Sequence, residues 1–388
     1  MIRTSTLPEV LADLTDAELG ERLAARTLEL IDIPSPSRDE HALAAHVLGV
    51  LQDGGVPARD AGDTCVVSDP VGRADGPLIV LGGHFDTIPA QDNFPGHRDA
   101  QTVFGLGAAD MLGAVAVAME LALAAATDAG EKGVTARLGL CLFGREELPV
   151  VESALTPLLS REPGLREADL VLMMEPTDNA IHAGCLGNIN ATWSFRGRAG
   201  HSARPWDADN AIEHAARSIV ALTGAALPVG HAFDGLTFTE VVTVTRIAGG
   251  IADNVIPDRV VAHVNHRYPP GTSPADAEAQ LHALCDAAVA VAGLAAGAEP
   301  AATLTITSNA PSGAVCAADP LVRCLIACGD LAVAPKQAWT PVAEFTALGI
   351  SAVNFGPGAP RHAHQRDEQV SVASLVRCAR TLDAFLGT

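Results

Sequence analysis

Lysine is nearly missing from this chain. Lys132 and Lys336 are the only two in 388 residues. No Lys/Arg run occurs, and 25 basic against 46 acidic residues leave a net charge of −21. A nucleic-acid reader carries a basic stripe, and docking on an anionic membrane needs basic clusters, so neither reading is favoured. Paired cysteines are missing too. The eight cysteines are scattered with no CxxC, which disfavours thiol redox chemistry and a structural Cys-zinc site. Cys324 and Cys328, at i,i+4 in an apolar stretch, read as buried thiols. The N-terminal segment lacks the apolar core of a signal peptide. The most apolar stretch, residues 113–126, is one core helix long and includes Glu120, too short to span a bilayer. The expected compartment is a reducing cytoplasm.

What is present is a globular composition, 48% hydrophobic and 18% charged, long enough for two to three domains at about 150 residues each. Residues 16–52 have helical periodicity broken at 33–37. Residues 77–82 form a β-rich run ending in glycines, and 136–143 and 169–174 are two more buried-type strands. The apolar helix after Asp110 lies between them. Strands alternating with buried helices predict a mixed α/β fold, with a mostly parallel sheet and helices on both faces. The texture changes near Gly187. Period-two runs at 190–195, 238–247 and 260–267, with helical runs at 210–222 and 275–292, predict a smaller α+β insertion. The expected division is a main domain of residues 1–187 and 298–388, interrupted by residues 188–297. A buried strand pattern returns at 304–307 and 351–355, and a last helix over 372–386 has Ser371 as its N-cap.

Five acidic or histidine clusters fall at predicted strand ends, where open α/β sheets place ligands. In GGHFDT, His84 and Asp86 at i,i+2 point the same way. A metal-binding His needs a partner to fix its tautomer, which Asp86 can supply; in isolation the pair is equally a turn with a satisfied His. In GLGAADMLG, Asp110 is either an N-cap or a carboxylate that bridges two cations. No GK[ST] follows the glycines, so a phosphate loop is excluded. LFGREEL puts Glu146 and Glu147 directly after a strand. There they are either a charged tip or a division of labour, one binding metal and one taking a proton from water. MMEPT ends a strand with Glu175, and Pro176 takes the chain out of regular structure. The fifth cluster, GPGAPRHAHQRDEQV, holds His362 and His364. The sum is an N/O ligand set without thiolates, suited to zinc, cobalt or manganese.

In this order the motifs GGHFDT, GLGAADMLG, FGREE, MMEPT and GPG…AHQRDE resemble the dinuclear zinc aminoacylase and carboxypeptidase superfamily, over nearly the whole chain. Within it, HAGCLGNINATWSFRGRAGHSARPWDADNAI, NVIPD, PKQAWTPVAEFTALGISAVNFGPG and AHQRDE are most similar to succinyl-diaminopimelate desuccinylases of the actinobacterial type. The resemblance implies two Zn²⁺, replaceable by Co²⁺ or Mn²⁺. His84, Asp110 and Glu175 would hold one, and Asp110, Glu147 and His364 the other. It implies Asp86 as the orienter of His84 and Glu146 as general base. It implies that the insertion is a lid and dimerisation domain whose His201 stabilises the oxyanion in the partner subunit of a homodimer. Asn254 and Arg267 would hold the carboxylate end of the substrate.

The implied reaction is hydrolysis of N-succinyl-LL-2,6-diaminopimelate to diaminopimelate and succinate. Acetylornithine or other N-acyl-amino-acid deacylation, then dipeptide or carboxypeptidase cleavage, stand as alternatives. A non-catalytic binding protein is the remote one, disfavoured because Glu146 is retained. Two positions depart from the desuccinylase pattern. Leu186 stands where a polar or basic residue is usual, and Pro341 where Asp is usual.

Overall fold

A computed structural model describes residues 11–127, 135–225, 228–294 and 300–387. The chain divides into two compact units. One comprises residues 1–184, 315–335 and 341–388; the other comprises 185–314 and 336–340.

The first unit is built on a mixed sheet, nine-stranded among the described residues. Its centre is parallel: Arg137–Phe143, Leu78–His84, Leu170–Met173 and Ala352–Asn354 lie side by side in that order. Leu78–His84 is buried at every residue, as a parallel strand covered on both faces must be. Antiparallel pairing appears toward the edges, where Cys65–Ser68 joins Arg137–Phe143. The helix Gly113–Thr127 is buried along nearly its whole length. With the preceding turn it is long and apolar enough to cross a membrane, but 94% of that window is buried inside the protein, so it is a core helix. Its one acid, Glu120, accepts from Arg22 Nε at 2.5 Å and Arg26 Nε at 3.0 Å, which compensates a charge that would otherwise be buried alone. The helices Asp16–Ile31 and His41–Asp53 flank the expected break. The last helix, Val372–Leu386, begins where Ser371 accepts from the Ser374 amide.

The second unit is an antiparallel sheet in the order Val229–Phe233, Leu236–Gly249, Arg259–Tyr268, Gly187–Arg196 and Ala302–Ala310. Gly187–Arg196 alternates between buried and partly exposed residues. Ile189, Ala191, Trp193 and Phe195 face the helices Ala211–Ala225 and Pro274–Val291, and with Val260, Ala262 and Val264 they form one core. The expected boundary at 297 is corrected here. Ala302–Ala310 pairs along Gly187–Arg196, and the second unit runs to Ala314. The sequence reading gave 304–307 to the main domain because an apolar alternation does not say which sheet it joins; the strand is half-exposed, not buried.

Candidate metal centre

The parallel strands of the first unit end at one edge, and the candidate ligands sit there. His84 is the last residue of its strand. Its Nδ1 lies 2.9 Å from the backbone carbonyl of Asp86. A carbonyl only accepts, so Nδ1 carries the proton and the Nε2 lone pair is left for a cation. Nε2 faces Asp110 Oδ1 at 3.3 Å. The Asp86 contact is made by its main chain, and its carboxylate stands 3.6 Å from Nδ1. The carboxylate accepts from the Glu146 amide at 2.8 Å, the Glu147 amide at 3.0 Å and Ser37 Oγ at 2.8 Å. One residue thus holds the imidazole with its main chain and the double-glutamate loop with its side chain.

Asp110 is not a helix N-cap. It lies in a single π-type turn, Ala108–Leu112, with φ −127° and ψ 87°, and the helix proper starts at Gly113. The Glu146–Glu147 loop follows Phe143. Before it, Arg145 has φ 62°, and its guanidinium binds Asp63 and the Glu152 carbonyl. Glu175 lies two residues beyond the strand Leu170–Met173 and is buried. Gly356 packs so closely on this turn that a Cβ would overlap the carbonyls of Met174 and Glu175, and Gly358 packs equally closely on Ala109. The glycines of GPG are thus needed for close approach to two ligand-bearing turns. His364, also in the left-handed region at φ 62°, puts Nε2 2.9 Å from Glu147 Oε1 and 3.8 Å from Asp110 Oδ2. The structure thus brings His364 to the cluster; His362 ends a short 3₁₀ turn outside it.

The donors fit a divalent cation, with His84 common to the two possible groupings. Ligand atoms of His84, Asp110 and Glu147 lie within 4.8 Å of one another, as do those of His84, Glu146 and Glu175. All are imidazole nitrogens or carboxylate oxygens, the set that binds zinc, cobalt or manganese. Glu146 and Glu147 both enter these groups, so proximity alone does not divide base from ligand. The electrostatics follow from crowding. Burial, then Glu175, pushes Glu146 well above the usual carboxylate range. Burial opposes charge on His84, yet the Asp110 and Asp86 carboxylates outweigh it and raise its pKa well above the usual value. The bond to Glu147 lifts His364 to about 9.

The remaining expected residues lie in the second unit. His201 is exposed on the short strand Gly200–His201, and its Nδ1 accepts from the Ala203 amide at 3.1 Å. Asn254 is exposed, and its carbonyl accepts from the Ser202 amide at 3.0 Å. Arg267 is partly buried, which lowers its pKa. Its Nε donates to Asn265 Oδ1 at 3.0 Å, and no carboxylate pairs with it among the described residues. Leu186 is buried, and Pro341 caps the helix Val342–Ala347. Sequence reasoning gave no role to Ser37, Arg145 or Glu368. Ser37 lay in the IPSPS break and Glu368 in the quoted AHQRDE, so position in those motifs was the only available signal.

The chain is 33% identical over 366 residues to a putative succinyl-diaminopimelate desuccinylase of Mycobacterium tuberculosis, covering 93% of this chain and 97% of that one. The M20 peptidase dimerisation domain matches residues 184–291. The chain belongs to the M20 family of metal-dependent hydrolases. A succinyl-diaminopimelate desuccinylase of Corynebacterium glutamicum is 31% identical over 369 residues, 93% of this chain and 95% of that one. A tripeptidase of Staphylococcus aureus shares the M20 fold with a TM-score of 0.76 at 17% identity, over 95% of this chain and 98% of that one.

Proposed function

We propose that this M20 chain hydrolyses N-succinyl-LL-2,6-diaminopimelate to diaminopimelate and succinate. It would do so in the cytoplasm, as a homodimer with two Zn²⁺ per active site. The observation that carries the hydrolytic reading is the convergence of His84, Asp110, Glu146, Glu147, Glu175 and His364 at one sheet edge. The substrate reading rests on the names of relatives aligned over nearly the whole chain.

His84, Asp110 and Glu175 would hold one ion and Asp110, Glu147 and His364 the other, with Asp110 shared. When bound, the ions supply Lewis acidity and bring the pKa of a bound water to about 7. Glu146 takes a proton from the attacking water and hands it to the leaving amine. The Asp86 carboxylate keeps Glu146 in place through its amide. His201 donates to the oxyanion in the partner subunit's site, a contribution of about 10²–10³ in rate. Arg267 and Asn254 take the carboxylate end of the substrate. The Arg267 terminal nitrogens suit a bidentate grip because, among the described residues, only Nε is committed.

The test is a screen of the zinc-loaded protein on N-succinyl-diaminopimelate, N-acetylornithine, N-acetyl amino acids and dipeptides, compared by kcat/KM. The proposal expects the succinyl substrate to lead by about 10²-fold or more, as a few pocket contacts can supply. A lead by another acyl group would leave the metal chemistry and make Leu186 and Pro341 the marks of a changed specificity. A lead by dipeptides would overturn the deacylase reading.

A further inference from the structure

The turn that carries Asp110 has an unusual occupant. Just before the backbone leaves helical geometry at Asp110 and Met111, the amides of Gly107, Ala109 and Asp110 converge on one side chain. Glu368 Oε2 accepts from Gly107 at 3.1 Å, and Oε1 accepts from Ala109 and Asp110 at 3.0 Å each. Glu368 is 2% exposed, so these bonds meet no competition from water. Its own carbonyl accepts from the Gly105 amide at 3.0 Å. The strand that follows, Gln369–Ser371, pairs antiparallel with Thr102–Phe104. The segment that presents His364 thus also grips the turn that presents Asp110.

We infer that Glu368 is a positioning residue for the metal centre. Its carboxylate fixes the non-helical backbone of the Asp110 turn, so that both carboxylate oxygens of Asp110 face the cations while His364 arrives from the same segment. A plain surface carboxylate would not need three backbone donors, and the apolar core gains nothing from a buried acid. The inference rests on Asp110 binding the cations.

The experiment compares the full-length parent, Glu368→Gln and Asp110→Asn by zinc titration against a chromophoric chelator, with the thermal midpoint of each protein measured metal-free. Glutamine keeps the shape but turns an amide N–H₂ toward a backbone donor. Glu368→Gln should weaken zinc binding about 10–100-fold, the usual effect of losing an outer support, while the metal-free midpoint stays within a few degrees of the parent. Parent-like zinc affinity, or a lowered midpoint with unchanged affinity, overturns the proposal. Should Glu368→Gln not fold, Glu368→Asp decides in the same way, since it keeps the charge and shortens the reach. Asp110→Asn separates the two readings. If it loses zinc while the Glu368 variant does not, only the role of Glu368 fails. If it keeps both zinc equivalents, the shared-ligand reading fails first.

Discussion

The two largest sheets among the described residues use their strands in opposite ways. In the first unit, Leu78–His84 is buried at all of its residues, so every side chain before His84 serves packing and the chemistry is pushed to the strand ends. In the second, Gly187–Arg196 buries every other residue and keeps a polar face. There Asn265 Nδ2 bonds Asn188 Oδ1 at 2.7 Å and Asn190 Oδ1 at 2.9 Å, while Asn265 Oδ1 accepts from Arg267. A parallel sheet covered on both sides offers reactive groups only where strands stop. An antiparallel sheet with one bare face offers a row of donors along its width. On the proposed function, bond breaking would fall to the strand ends and substrate holding to the sheet face and His201.

That division can be broken by mutation. The largest effect is expected at a strand end. Glu146→Gln should lower kcat by about 10²–10⁴-fold while both zinc equivalents remain; full activity would remove it as the base. Next comes His201→Ala, expected to cost about 10²–10³ in kcat. Mixing it with Glu146→Gln should raise activity above either variant alone, because some mixed dimers then carry one intact site. No recovery would mean that His201 acts within its own chain or not at all. On the sheet face, Arg267→Ala should act on KM, raising it about 10–100-fold as a charged hydrogen bond is lost, with little change in kcat. An equal fall in kcat would mean that holding and chemistry are not separate.

The smallest effect concerns stability. Burial pushes Glu344 up to about 7, and its Oε2 has no hydrogen-bond partner among the described residues. A carboxyl whose pKa is raised by folding favours the folded state below its ordinary value of 4.5. That contribution is lost as pH rises through about 7. Glu344→Gln should therefore raise the thermal midpoint by a few degrees at pH 8 and by less at pH 5. Equal shifts at both pH values would contradict this.

The residues at the strand ends were legible because their motifs follow unmistakable apolar runs, and a buried strand leaves its last residue few places to go. His84, Glu147 and Glu175 are of this kind. His364 was distinguished from His362 only by the family resemblance. The supports were not legible. That Asp86 holds His84 by its carbonyl, and the glutamate loop by its carboxylate, depends on backbone direction that no motif encodes. Glu368 stands in the AHQRDE motif, yet its three amide partners lie 258 to 261 residues away in the chain. The strand Ala302–Ala310 was placed in the wrong unit because a period-two pattern reports a half-covered face and not the sheet that covers it.

The most direct test of the central claim is an anomalous X-ray difference map of zinc-loaded crystals, measured at the zinc edge. The account predicts two peaks about 3.5–4 Å apart, as in other two-metal sites. Asp110 should lie between them, His84 and Glu175 on one, Glu147 and His364 on the other, and Glu146 bound to neither. A single peak, or Glu146 as a ligand in place of Glu147 or Glu175, would contradict it.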